Sequence, residues 1–418
     1  MSKHARLAFG LCMAALLSAC GGGGSSAESG PSASPAAPVD NRVTLAQYTA
    51  SRPSAGTPLP ATAQQASDYR FATAPLADAA SRGQLNTVLL PALHLNRRAL
   101  LMSAAQGETL AELQAQRADS QGLAAGVLER EVLAAPATLI RPAYLQDSER
   151  GSAHAQAPRS WRATAVSDWA LVPLPERTAS PTLVVRDSMR LERAWPGTVE
   201  RFEGVFEADS GARSLQPMQR MRGALFQLDE ATFTARSLQL GDGFELVALV
   251  PKRGGLGGFV MNDLGDALVL LNQRLRAGLT RSEGGLVLAQ GGVELLGVDA
   301  SQDLSLAGDP LKAQLTALDG RPQLATATVQ PGGLNWDANG LRLWGGHTLA
   351  FQPLFGPQSN FFSGGSFSRN ITSDWPVECR AGPADLRPMV LVLLDAQHRL
   401  LAMASVARQG AEGAPCLP

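Results

Sequence analysis

Histidine and cysteine are scarce in this 418-residue chain, and the scarcity excludes most metal chemistry. The histidines His4, His94, His154, His347 and His398 are scattered without ligand spacing, and no Cys/His cluster exists. The pattern therefore predicts no metal site, and no cofactor is implied. Residues 364–368, Gly-Gly-Ser-Phe-Ser, lack the second flanking glycine of a nucleophile elbow. Residues 254–258 are rich in glycine but lack the lysine of a phosphate loop, and a turn is expected there. Nothing in the sequence makes a positive case for an enzyme. Charge is equally sparse, at 17% of residues with a formal net charge of −1. That gives no electrostatic basis for binding nucleic acid or an anionic membrane surface. Beyond the N-terminus no apolar run reaches the roughly 18 residues that a membrane-spanning helix needs.

The chain has 42 glycines and 27 prolines but only 5% aromatic residues, which suits a loop-rich β or α+β protein. A hydrophobic content of 45% is enough for a sizeable core. Lys3 and Arg6 precede a short apolar stretch over residues 7–17, so residues 1–19 are expected to be a signal peptide. Leu17-Ser18-Ala19-Cys20 matches a bacterial lipobox, in which cleavage precedes the cysteine and Cys20 carries lipid. The alternative is an ordinary secretory signal with Cys20 as a free thiol. Gly21 after the cysteine, and the Gly/Ser tether that follows, favour a lipid-anchored protein of the cell envelope, at the outer membrane. Residues 20–65 are rich in Gly, Ser, Ala and Pro and are read as a linker. One folded domain is expected over residues 66–418.

Within that domain, strands are expected at residues 183–185, 233–240, 244–250, 267–271, 293–297 and 324–329. Residues 389–394 and 400–406 are nearly continuous apolar runs around a turn at residues 395–398, which reads as a hairpin buried on both faces. Cys379 and Cys416 flank that turn symmetrically. They should leave the hairpin at the same end, and in an oxidising compartment they are expected to form a disulfide.

The order of signals from residue 183 to residue 251 is specific. Leu183-Val184-Val185-Arg186-Asp187-Ser188-Met189 leads to Trp195, a Met-bearing stretch around Met218 follows, and Phe244-Glu245-Leu246-Val247-Ala248-Leu249-Val250-Pro251 closes it. Together with residues 85–109 and the terminal hairpin, this order resembles the serpin family. Asp187-Ser188 stands where the family has Asn-Ala, and Leu90 where it has Ser. The resemblance implies an α+β fold with a large central β-sheet, further sheets and surrounding helices, and Trp195 near the top of the central sheet.

It also implies that function lies in one loop. In inhibitory serpins a protease cuts that loop, and the freed arm inserts as a new strand in the middle of the central sheet. Here the loop region would span residues 340–385, with its hinge at Gly340, and counting from the hinge places the cut at Leu354-Phe355. Insertion favours small residues after the hinge. This chain has Leu341, Arg342, Leu343 and Trp344. Overpacking costs about 1–3 kcal/mol per site, so the four residues are expected to oppose insertion. Two readings follow: a serine-protease inhibitor acting through its loop, and a non-inhibitory serpin-fold lipoprotein with a binding or structural role. A chance likeness of an unrelated envelope lipoprotein is a third. A serine protease is the partner implied by the first, and the membrane, through the lipid anchor, by both serpin readings.

Overall fold

Thr44 and Gln47 cap one another and start the fold. The Thr44 hydroxyl accepts the N–H of Gln47 at 3.2 Å, and the Gln47 side-chain oxygen accepts the N–H of Thr44 at 2.8 Å. This reciprocal pair satisfies two donors that a helix N-terminus leaves open. It joins β1 (Val43–Thr44) to α1 (Leu45–Ser51), whose Leu45 and Tyr48 are buried one turn apart. The folded part thus takes in a segment that composition assigned to the linker. The Thr-x-x-Gln signature, and not the Ala/Ser/Pro content around it, decides the local structure.

A computed structural model of the chain describes residues 42–51, 66–105, 110–111, 113–114, 128–142, 144–145, 159–163, 183–289, 291–294, 323–353, 386–407 and 414–415. Residues 41–418 form one compact unit. After α1 come α2 (Ala66–Ser81), β2 (Asn86–Leu89) and α3 (Pro91–Ala104), with proline in the first turn of α3, where its missing N–H costs nothing. β3 (Leu128–Ala134), β4 (Leu139–Ile140), β5 (Arg159–Ala163) and β6 (Leu183–Ala194) follow. β7 (Val199–Glu207), β8 (Arg213–Leu225), β9 (Gln227–Asp229), β10 (Phe233–Gln239) and β11 (Glu245–Pro251) lead to α4 (Gly255–Asn262) and α5 (Leu264–Ala277). The remaining elements are β12 (Ser282–Ala289), β13 (Gly291–Glu294), β14 (Gln323–Trp336), β15 (Gly340–Pro353), β16 (Met389–Leu394), β17 (Leu400–Val406) and β18 (Ala414–Pro415).

Two of these helices differ from the sequence reading. Residues 267–271 lie within a helix, α5, and not in a strand. Its buried Leu264, Ala267, Leu268, Leu271 and Leu275 recur every three or four positions, the helical period. The glycine-rich turn expected at residues 254–258 instead opens α4. Asp209 accepts the N–H of Leu256 at 2.6 Å there, and a Cβ on Gly255 would fall 2.8 Å from the same carboxylate.

Among the described residues the strands form an α+β architecture of three larger sheets. The central sheet is six-stranded, ordered β13-β14-β15-β6-β3-β5. A second six-stranded sheet runs β2-β17-β16-β11-β10-β9. A third is ordered β12-β8-β18, with β7 also paired to β8. The expected terminal hairpin is present, with Met389 opposite Val406 and Leu393 opposite Ala402. Every residue of β16 and β17 is buried, as continuous apolarity requires. One apolar cluster joins inward residues of the central sheet to the other two sheets. A second fills the space between the second sheet and α2, α4 and α5, and a third lies beneath the other end of the central sheet, against α1 and α3.

The β16–β17 turn carries a pH response. Asp395 accepts the N–H groups of Gln397 and Arg399, each at 2.9 Å, and His398 sits in the left-handed region at φ 59°. Burial lowers the His398 pKa below its ordinary 6.5; Glu245 and Asp395 oppose that shift, and Arg276 and Arg281 assist it. The unfolded chain therefore takes up a proton more readily than the folded one. The stability this confers is fully present above pH 6.5 and is lost as pH falls through the lower folded value. Urea titrations should show stability declining from pH 7 to pH 5. The decline should be smaller in His398→Asn, which tolerates the same backbone conformation. An unchanged pH profile in that variant would remove His398 as the cause.

Candidate functional site

Asn339-Gly340, flanked by alternating apolar residues, is a strong local signal for a hairpin. The structure forms a hairpin here, but its loop is the three residues 337–339, and Gly340 already pairs with Ala194 as the first residue of β15. Asp337 to Gly340 turn the chain between β14 and β15. The Asp337 N–H donates to the Gly340 carbonyl at 3.0 Å, and the Asp337 carboxylate accepts the N–H groups of Asn339 and Gly340 at 2.7 and 3.2 Å. Gly340 has φ 156°, and a Cβ there would fall 2.1 Å from the Arg193 carbonyl oxygen. Trp195 reaches the same turn, its indole donating to the Asp337 carbonyl at 2.6 Å.

β15 then runs antiparallel to both neighbours in the middle of the central sheet. Its register against β14 runs from Leu341 opposite Trp336 to Pro353 opposite Gln323. Against β6 it runs from Gly340 opposite Ala194 to Phe351 opposite Leu183. Leu341, Leu343, Leu349 and Phe351 are inward and 0–1% exposed, whereas Arg342 and Trp344 face outward, Trp344 at 36% exposure. Burying four such side chains is worth roughly 6–12 kcal/mol as an upper bound.

A buried polar row crosses this sheet. Arg130 of β3, Asp187 of β6 and His347 of β15 lie directly opposite one another on adjacent strands. The Arg130 guanidinium grips Asp187 with two bonds of 2.6 Å, at 1% and 0% side-chain exposure. His347 Nε2 lies 3.6 Å from Asp187 Oδ2, the oxygen that also accepts one of the Arg130 bonds. Behind the sheet α3 places Asn96 and Arg97, both buried, between its apolar ends, and burial lowers the Arg97 pKa to about 10. Tyr144 stands edge-on to Phe351, with ring centroids 6.0 Å apart. Burial raises the Tyr144 pKa; Arg130 works against the shift and Asp187 adds to it. Leu183, Val185, Leu349 and Phe351 are apolar on one side of the row, and Met189, Leu191, Leu341 and Leu343 on the other.

No family model and no curated protein matches the chain. Solved structures do. One is described as a cleaved serpin 42Da, 13% identical with a TM-score of 0.54, covering 83% of this chain and 100% of its own. Another is a loop-inserted, cleaved ovalbumin mutant, 11% identical with a TM-score of 0.58, covering 82% and 98%. A third is the thermophilic serpin tengpin in the latent state, 12% identical with a TM-score of 0.54, covering 84% and 99%.

The chain has the serpin fold.

Within that fold the expected site residues separate. Trp195 lies just after β6, 8% exposed, and meets the turn before Gly340. Gly340, Leu341, Arg342, Leu343 and Trp344 are the first residues of β15. Leu354, Phe355, Cys20, Cys379 and Cys416 lie outside the described residues. The segment expected to oppose insertion, from Leu341 to Trp344, is part of a strand of the sheet. Leu341 and Leu343 belong to the main apolar cluster, beside Leu191, Leu334 and Trp336. The bulk of Arg342 and Trp344 goes to solvent and meets no core.

Sequence reasoning missed Arg130, Asp187 and His347. A signal existed for each. Every one is a polar residue at an inward position of an alternating strand, as Asp187 is between Val185 and Met189. What no single segment could reveal is that the three meet.

Proposed function

We propose that this protein is a serpin-fold lipoprotein of the bacterial envelope with a binding or structural role, its loop segment serving as a permanent strand. The observation that carries this reading is the β14–β15 hairpin. Loop insertion can drive protease trapping only if the strand is outside the sheet beforehand. With Gly340–Pro353 already paired on both sides, that free-energy drop is spent. A binding role has a parallel in the fold: a thyroxine-binding globulin, 12% identical with a TM-score of 0.53, was solved complexed with thyroxine-fluorescein and covers 68% of this chain and 98% of its own.

The test is incubation with chymotrypsin-like and trypsin-like proteases, read by denaturing gel and by thermal melt. No covalent complex is expected, and cleavage within residues 354–385 should leave the melting temperature nearly unchanged. A detergent-stable complex, or a large rise in melting temperature after the cut, would establish the other reading, a serine-protease inhibitor acting at Leu354-Phe355.

The envelope assignment rests on the lipobox ending in Cys20 and on the Gly/Ser tether after it. Cys20→Ala should abolish fatty-acid labelling and move the protein from the membrane to the soluble fraction. Labelling that persists in this variant refutes the anchor. The Cys379–Cys416 disulfide belongs to the same reading. It is motivated by the equal spacing of the two cysteines, in the sequence, from Gln397-His398 within the turn at residues 395–398.

A further inference from the structure

The geometry points to the Arg130–Asp187–His347 row as the device that fixes the register of the β14–β15 hairpin in the central sheet. The inference rests on the reading of β15 as a resident strand. Within the hairpin, the turn at Asp337–Gly340 sets how β14 pairs with β15. No turn sets how the hairpin pairs with β6, which lies far away in sequence. The apolar pattern does not set it either. Inward positions on β15 are Leu341, Leu343, Gly345, His347, Leu349 and Phe351, and on β6 they are Leu183, Val185, Asp187, Met189 and Leu191. A slip of two residues keeps every apolar side chain inward, because the side-chain period of a strand is 2.

What the slip changes is the polar row. In the observed register His347 lies opposite Asp187, which already holds Arg130. Slipped by two in either direction, His347 would face Val185 or Met189. Asp187 and Arg130 would then meet Gly345 or Leu349 on the third strand. That leaves a buried imidazole and a buried ion pair each short of a polar neighbour, the situation in which an interior charges most for a polar group. A single buried polar position is known to select register in other packed assemblies at some cost in stability. The row lies between two apolar clusters, and the positions that build them on β15 and β6 stay inward after such a slip.

Outward cysteine pairs can read the register directly. Trp344 lies opposite Arg190, and both side chains reach solvent, Arg190 at 80%. Trp344→Cys with Arg190→Cys reports the observed register. Trp344→Cys with Ser188→Cys, or with Glu192→Cys, reports a slip of two in one direction or the other. In the full chain with its row intact, mild oxidation followed by peptide mapping should link residues 344 and 190 only. With Arg130→Met, Asp187→Leu and His347→Leu together, links from 344 to 188 or 192 should appear at a level comparable with the 344–190 link. A complementary variant moves the histidine by two positions, with His347→Leu and Leu349→His, and should transfer the link from 190 to 192.

Exclusive 344–190 linkage in both row variants would overturn the inference, since the Trp195–Asp337 bond and Gly340 would then suffice. Failure of both variants to fold would also overturn it, because the row would be holding the fold and not choosing a register. Absence of the 344–190 link with the row intact is a different outcome. It would overturn the reading of β15 as a resident strand.

Discussion

Gly340→Ala should destabilise the protein by about 3–5 kcal/mol in a urea titration, more than any exposed substitution. Two independent causes act at this position. The backbone holds φ 156°, which a side chain rarely tolerates, and the added Cβ would meet the Arg193 carbonyl oxygen at 2.1 Å, its carbon at 2.9 Å and the Ala194 Cα at 3.0 Å. All three are backbone atoms of the adjoining strand, so no rotamer change relieves the contact. Relief requires the top of β15 to move from β6, and with it the Trp195–Asp337 bond. Hydrogen exchange should speed up over residues 340–344 before the rest of β15. A loss below about 1 kcal/mol, within the usual range for surface sites, would mean that the turn is not seated against Ala194.

Asp187→Ala should cost about 3–5 kcal/mol, because it strands Arg130 at 1% exposure without its carboxylate. Arg130→Met combined with Asp187→Leu should recover most of that loss. Two apolar side chains of similar volume need no desolvation, and a buried ion pair often adds little net stability over such a replacement. The comparison separates two roles that a single variant confuses. If the double variant is as unstable as Asp187→Ala, the pair contributes stability outright. If it is near the parent, the pair contributes specificity, which is the role assigned to it through His347. Chemical denaturation of the three proteins at one pH is sufficient to decide.

The terminal hairpin was legible because its apolar runs are continuous and its turn is polar, and both strands are wholly buried. β6 was legible from Leu183-Val184-Val185 and from Trp195 beyond it. α5 was misread because residues 267–271 form an apolar stretch compatible with either period. Only the wider spacing from Leu264 to Leu275 distinguishes a helix. α1 was missed because composition over a long segment outweighed a four-residue capping signature.

The loop region shows where such reading stops. The sequence by itself determined that Leu341 and Leu343 share one face of a strand and that Arg342 and Trp344 share the other. Those are local facts, set by the two-residue period of a strand. Only the tertiary structure decided that this strand lies between β14 and β6. Its inward face needs Met189, Leu191, Leu334 and Trp336 to complete it, and its polar centre needs Arg130 and Asp187. Those partners come from segments far apart in the chain. A strand's own residues state which face seeks burial, but the core that accepts it exists only once distant strands have come together.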